Sequence, residues 1–197
     1  MQLSGPLRRD FDDALTRRAE RPRRRPVRAA AAGLTAIVAA VVFATAADAQ
    51  TARGALVANG QRADLGHAIA VEIDSTTEPG YLDVVVVASD RPLTAAQARD
   101  RDGLEAMARR GDLAALRVVI DPDARVKSAA PLHRAFTTFV SSALWIRWTP
   151  TAYDEKRVAG RFATDGTVRE FRQAWSYDVT FEAPVVLDPA AKSVPRK

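Results

Sequence analysis

The hydrophobic positions of this 197-residue chain follow different rules on the two sides of residue 50. Residues 29–47 form an uninterrupted uncharged run, rich in alanine, in which Thr35 and Thr45 are the only polar side chains. Beyond residue 50 the apolar residues come in short stretches. Trp175, Tyr177, Val179 and Phe181 are interleaved with Ser176, Asp178, Thr180 and Glu182, the two-residue period of a strand with one wet face. His67, Ile69, Val71 and Ile73 repeat that period, with Glu72 and Asp74 opposite. Residues 84–87, four valines, have no polar side, which suits a strand covered on both faces.

Turn chemistry bounds these segments. Asn59-Gly60, after the apolar residues 54–58, is a type I′ hairpin signal because both central residues need positive φ. Residues 61–65 read as the return strand. Residues 75–80 (STTEPG) and Asp121-Pro122-Asp123 read as turns. Asp90-Arg91-Pro92 stops the valine strand, and the period then lengthens to that of a helix. Thr94 is a candidate N-cap, Leu104, Met107 and Ala108 form an apolar stripe, and Gly111 ends it. Strands are predicted over residues 117–121, 126–129, 136–142, 144–149 and 157–164, while residues 131–134 are a link without a signal of their own. Thr149-Pro150 ends the fourth of these strands, Gly160 marks a bulge or close approach in the fifth, and Asp165-Gly166 reads as a second hairpin turn. The pattern as a whole predicts a mainly β fold: an antiparallel β-sandwich-like single domain over residues 50–186, with a short helical insertion at about 94–110 and a polar tail over 187–197.

The apolar run accounts for the front of the chain. Residues 1–28 carry nine arginines against Asp10, Asp12, Asp13 and Glu20. Behind the run stands Ala47-Asp48-Ala49, small at both positions that a signal peptidase reads. A positive n-region, an apolar h-region and an A-x-A site together make a secretory signal, with cleavage expected after Ala49. The alternative is a membrane anchor, because roughly 20 apolar residues span a bilayer. Alanine gives far less insertion energy than leucine or isoleucine, which favours cleavage. Arg8-Arg9-Asp10-Phe11 resembles a twin-arginine export motif, although it lies well upstream of the run and is followed by Asp12 and Asp13. A cut chain would be periplasmic or secreted. An uncut one would touch the inner membrane only through residues 29–47, with the domain outside.

This partition changes the meaning of the charge. The chain has 29 basic and 24 acidic residues, a net of +5. Residues 1–28 hold nine and four of them, and Asp48 belongs to the cleavage site. That leaves 20 basic and 19 acidic residues in 50–197, interspersed along the sequence. A nucleic-acid binder would carry its basic stripe on the folded domain, so nucleic acid is not an expected partner.

Candidate chemistry is sparse. The chain has no cysteine, which removes thiol catalysis, thiolate metal sites and disulfides. His67 and His133 are the only histidines, and a metal site needs about three or four ligands. No H-x-H or H-E-x-x-H spacing occurs, so neither metal nor cofactor is implied. Ser141-Ser142 lacks a nucleophile elbow. The pairs Asp121/Asp123, Asp154/Glu155 and Asp100/Asp102 sit at turns and junctions, where carboxylates serve the backbone. His67, His133 and the Asp90-Arg91 corner remain as candidate binding residues, and their convergence in one concave pocket would favour an enzyme or ligand site. Trp145, Trp148, Trp175, Tyr153 and Tyr177 have the spacing of core residues, with a carbohydrate or partner groove as the alternative.

The succession GALVANG, HAIAVEI, VVVVASDRPL, a short helix, RVVIDPD, RVAGRF and WSYDVTFEAPV resembles a group of uncharacterised exported bacterial proteins, over roughly residues 53–186. The resemblance implies an exported β domain and supplies no catalytic residues. The sequence therefore points to a non-enzymatic binding or accessory module of the cell envelope, with a protein or glycan partner. A small hydrolase using carboxylates or His67 and His133 is the alternative.

Overall fold

The computed structural model describes residues 51–188. The basic front (1–28), the signal segment with its cleavage triplet (29–49) and the tail beyond Asp188 lie outside the described residues. The described chain runs β1 (Thr51–Ala58), β2 (Gln61–Asp64), β3 (His67–Asp74), β4 (Leu82–Ser89), α1 (Ala95–Arg99), α2 (Arg101–Arg110), β5 (Ala115–Ile120), β6 (Val126–Leu132), β7 (Arg147–Tyr153), β8 (Arg157–Ala163), β9 (Val168–Glu170) and β10 (Gln173–Val186).

All ten strands join one sheet in the order β6-β5-β4-β3-β1-β10-β8-β7, with β2 beside β1 and β9 beside β10. Pairing is antiparallel except where Val185 and Val186 lie parallel to Ala70 and Val71. The sheet curls into a half-barrel, so its two halves face each other across a shared core. The expected sandwich would need the strands divided between two separate sheets. Here the long β10 pairs with β1, β8, β9 and β3, so no such break arises.

Period-two alternation decides what each face does. Leu56 of β1, Val84 and Val86 of β4, Val118 of β5, Phe162 of β8 and Trp175, Val179 and Phe181 of β10 all meet in the inner core. On the outer face, α1 and α2 cover one half of the sheet, packing Ala98, Leu104 and Ala108 on Ile69, Val71, Val85, Val87 and Val119. This double cover explains why every residue of β4 is buried. The other half of the outer face, over β1, β10 and β8, has no helix among the described residues. Hence β10 alternates buried and open positions while β4 does not.

The helices start and stop as their residues dictate. The Thr94 hydroxyl accepts from Gln97 N–H, and Gln97 Oε1 accepts from Thr94 N–H, a reciprocal capping box. Asp100 ends α1 and caps α2 through Gly103 N–H at 2.9 Å. Gly111 terminates α2 at φ 79°, the left-handed conformation typical of a helix end.

Three expectations are corrected. Residues 136–142 form no regular strand. They belong to a connector, 133–146, that crosses between the edge strands β6 and β7 and sends Phe136, Phe139, Trp145 and Ile146 into the inner core. Their apolar residues reproduce a strand's composition but not its alternation, and only Ser142 pairs with β6, at Ala129. Secondly, β7 runs through Pro150. It is an edge strand with a register irregularity between Pro150 and Ala152, where the missing N–H breaks no regular ladder. Thirdly, Asp165-Gly166 is not a hairpin. β8 and β9 are successive partners of the same side of β10, and residues 164–167 interrupt them. The real hairpin turn is Phe171-Arg172, with φ of 52° and 60°, joining β9 to β10.

Candidate functional site

The uncovered outer half of the sheet carries two adjoining depressions. Their floor is made by β1 and β10, whose inward residues are locked in the core, so Arg53 and Val57 and then Ser176, Asp178, Thr180 and Glu182 are left outward. The first depression, about 600 Å³, is bounded by Arg62 of β2 on one side and by Thr164, Gly166 and Thr167 on the other. It exists because two strands break beside it: β2 gives way to β3 at Leu65-Gly66, and β8 to β9 at residues 164–167. The Thr164 hydroxyl donates to Gly166 O at 2.7 Å and accepts from Tyr177 N–H at 3.2 Å, which fixes this wall. The second depression, about 300 Å³, is lined by Thr51, Thr151, Ala159, Thr180 and Glu182. Arg53 lines both.

Gly54 shapes the same floor. A Cβ there would fall 2.0 Å from Asp178 O, so β1 crosses β10 more closely than any side chain permits.

The charges on this face are not equivalent. Arg161 holds Asp178 through two bonds of 2.6 Å, which keep the Asp178 carboxyl below its ordinary range and raise the guanidinium. Arg62 pairs with Asp64 at 2.8 Å, and Arg157 with Glu182 at 2.9 Å. Arg53 alone among these four arginines has no carboxylate within ion-pair distance among the described residues. Of the two arginines that line the depressions, Arg62 is neutralised and Arg53 is left without an ion pair among the described residues, set amid hydroxyls and paired carboxylates.

The residues singled out from the sequence lie elsewhere. His67 opens β3, opposite Ser89, the last residue of β4. Ser89 precedes Asp90, and β6 ends at Leu132, next to His133, so all four candidates belong to one end of the sheet. Asp90 and His133 are near enough to interact electrostatically. Each is nonetheless committed locally. Asp90 Oδ1 accepts from Ala114 N–H at 3.2 Å and from Arg91 at 3.3 Å. His133 is buried, its Nδ1 accepts from Ala135 N–H at 3.0 Å, and its ring meets Phe136 edge-on. Burial first, and then the Arg134 cation, lowers the His133 pKa, while Asp90 opposes the shift. None of the four lines either depression. Among the described residues no three His, Asp or Glu side chains cluster as metal ligands.

Trp175 and Tyr177 belong to the core, and Trp145, Trp148 and Tyr153 pack against it. Trp148 stacks with Phe181 and lies against Phe162, and Trp145 and Phe136 meet Trp175 edge-on. Burial pushes the Tyr177 hydroxyl pKa up, as its inward position requires. A further buried charge, Arg117, lies on the helix-covered face with its Nε unpartnered, and burial lowers its pKa with Arg101 and Glu105 nearby.

Sequence reading missed the depressions. Alternation in β10 marks a wet face, but which arginine stays unpaired depends on cross-strand registers that no local pattern shows. No protein-family profile, curated protein or solved structure matches this chain.

Proposed function

We propose that residues 50–188 are an exported, non-enzymatic binding module of the cell envelope, which takes its protein or glycan partner on the open outer face of β1, β10 and β8. The observation that carries this reading is the asymmetry of the sheet. Helices close one half of its outer face, while among the described residues the other half is left open, with paired depressions lined by hydroxyls and arginine. Export rests on the signal-like segment 29–49 and on the resemblance of residues 53–186 to exported proteins. The module then works in the periplasm or outside the cell; with the segment uncut it is tethered to the inner membrane instead.

The test is site-specific photo-crosslinking in living cells. A crosslinker at Thr180, on the open face, should capture an envelope component, while one at Arg110, on the helix side, should not. Capture only from Arg110, or from neither position, would remove the reading.

One observation favours a hydrolase as the second reading: His133 and Asp90 interact at the same sheet end as His67. Against it stand the internal commitments of both groups, because a general base must be within reach of the proton it takes. Hydrolysis of an ester or glycoside by the wild-type protein, abolished in His133→Asn with the fold intact, would establish this alternative.

A further inference from the structure

Arg53 is the cation that lines both depressions. It lies where the two depressions meet, it is exposed, and its neighbours Arg62, Arg157 and Arg161 are each neutralised by a carboxylate. A guanidinium offers five donors in a rigid fork that matches a carboxylate or phosphate in two-point contact. Around it, beside the arginine-paired Asp178 and Glu182, the polar side chains are mostly hydroxyls, Thr167 and Ser176 on one side and Thr51, Thr151 and Thr180 on the other, while the Thr164 hydroxyl is committed to the wall. Hydroxyls both donate and accept, so they suit a ligand rich in hydroxyls itself.

We infer that the two depressions form one elongated site for an anionic sugar chain, whose carboxylate or phosphate group is held by Arg53 while flanking sugars lie in the depressions on either side. This rests on the reading of the open face as the binding face, and it adds the ligand's chemistry. Three features select a glycan over an acidic peptide. An extended peptide binds by adding to a free strand edge, and β1 and β10 have none: β1 lies between β2 and β10, and β10 between β1 and β8. Within the lining of the depressions, and among the described residues, Arg53 is the single unpaired cation, which suits charge spaced along a polymer. The hydroxyl lining extends to both sides of that cation. Aromatic rings that would stack on sugars are absent from the lining apart from the inward-facing Phe181 and Tyr177, so affinity should be modest and should depend on the anion.

The experiment titrates the full chain, purified in mild detergent, with galacturonate hexamer, mannose 6-phosphate, neutral maltohexaose and hexaglutamate, following binding by calorimetry. Galacturonate hexamer or mannose 6-phosphate should bind more tightly than maltohexaose by about tenfold or more, and the stronger of the two identifies carboxylate or phosphate as the group. Added salt should weaken that binding. Arg53→Gln should lose about tenfold or more, Arg53→Lys should lose less, and Arg110→Gln on the helix side should bind like the wild type. Circular dichroism and thermal midpoints check that each variant is folded; the Arg53 side chain makes no ion pair with a described residue. Equal binding of maltohexaose, tighter binding of hexaglutamate, or equal losses in Arg53→Gln and Arg110→Gln would overturn the inference. So would failure of every anion to bind. If Thr180 still crosslinks an envelope component in that case, the binding-face reading stands and only the anionic glycan is lost.

Discussion

Trp148 lies over Gly160 so closely that a methyl group on Gly160 would sit 2.5 Å from the indole ring and 2.4 Å from Thr149 O. The glycine lets β7 and β8 approach while the indole stacks on Phe162 and Phe181 inside the half-barrel. One of the two obstacles is backbone, which cannot rotate away. Gly160→Ala should therefore destabilise the protein by about 1–3 kcal/mol, the range for overpacking. Gly66→Ala is the control, since nothing lies within 4 Å of a Cβ there. Urea denaturation of both variants checks this, and equal midpoints would refute the account.

The Asn59-Gly60 turn makes a different demand. Both residues have positive φ, 48° and 81°, and Asn59 also ties in its surroundings, accepting Ala174 N–H at its Oδ1 and donating to Ala135 O. At Gly60 nothing crowds a Cβ, so the cost of a side chain is conformational alone. Gly60→Val should cost about 1–3 kcal/mol, because a β-branched residue resists this region. Gly111→Ala should cost less, since its Cβ would meet only the flexible Arg134 side chain, at 3.1 Å. Denaturant midpoints rank the two.

This contrast shows what the sequence made legible. Asn59-Gly60 was readable because Asn and Gly are the residues that tolerate positive φ. Phe171-Arg172 takes the same backbone conformation with residues that do not advertise it, so the hairpin was assigned to Asp165-Gly166, where turn residues mark only an interruption. β10 and β4 were legible because alternation and its absence report directly on one-sided and two-sided cover. Residues 136–142 misled because the inner core recruits Phe136 and Phe139 through tertiary contact. The open face was half legible: its wet side chains are in the pattern, but the isolation of Arg53 follows only from the pairings of Arg62, Arg157 and Arg161.

Gln173 holds the connector in place. Its buried side chain accepts Thr137 N–H at 3.1 Å and donates to Thr138 O at 2.9 Å. Gln173→Ala should cost about 1–3 kcal/mol by leaving those backbone groups unpaired. It should also speed amide exchange at Thr137 far more than at Val179 in β10. Unchanged protection at Thr137 would show that the connector is held by its aromatic residues alone.

His133 makes stability sensitive to acid. Its folded pKa lies below the ordinary 6.5, through burial first and Arg134 second. The unfolded chain therefore binds the proton more readily, and stability rises with pH across this interval. The contribution is fully present above about 6.5 and is lost as pH falls through the folded value. His133→Asn keeps an acceptor for Ala135 N–H without the titration. The stability advantage of wild type over His133→Asn should shrink between about pH 7.5 and pH 5, as measured by urea midpoints. An advantage that grows on acidification would reverse the assigned sign.

The start of β1 bears on how much of the chain the fold needs. Thr51 pairs with His67 on one side and Glu182 on the other. From His67 to Ala70, and from Glu182 to Val185, is three residues each, and Ala70 and Val185 pair directly with one another. The gap between β3 and β10 that holds the start of β1 is thus closed by this pair, and cleavage after Ala49 falls just ahead of Thr51. The ten described strands all lie within residues 51–186, downstream of that cleavage point. We therefore expect the protein isolated from cells to begin at Gln50 and to remain soluble after cell-envelope fractionation. An anchored chain behaves differently: it keeps residues 1–49, sediments with membranes and resists extraction by carbonate. The intact mass of the cell-derived protein separates the two outcomes, and a full-length mass in the membrane pellet would make the arginine-rich front a permanent segment on the other side of the bilayer from the sheet.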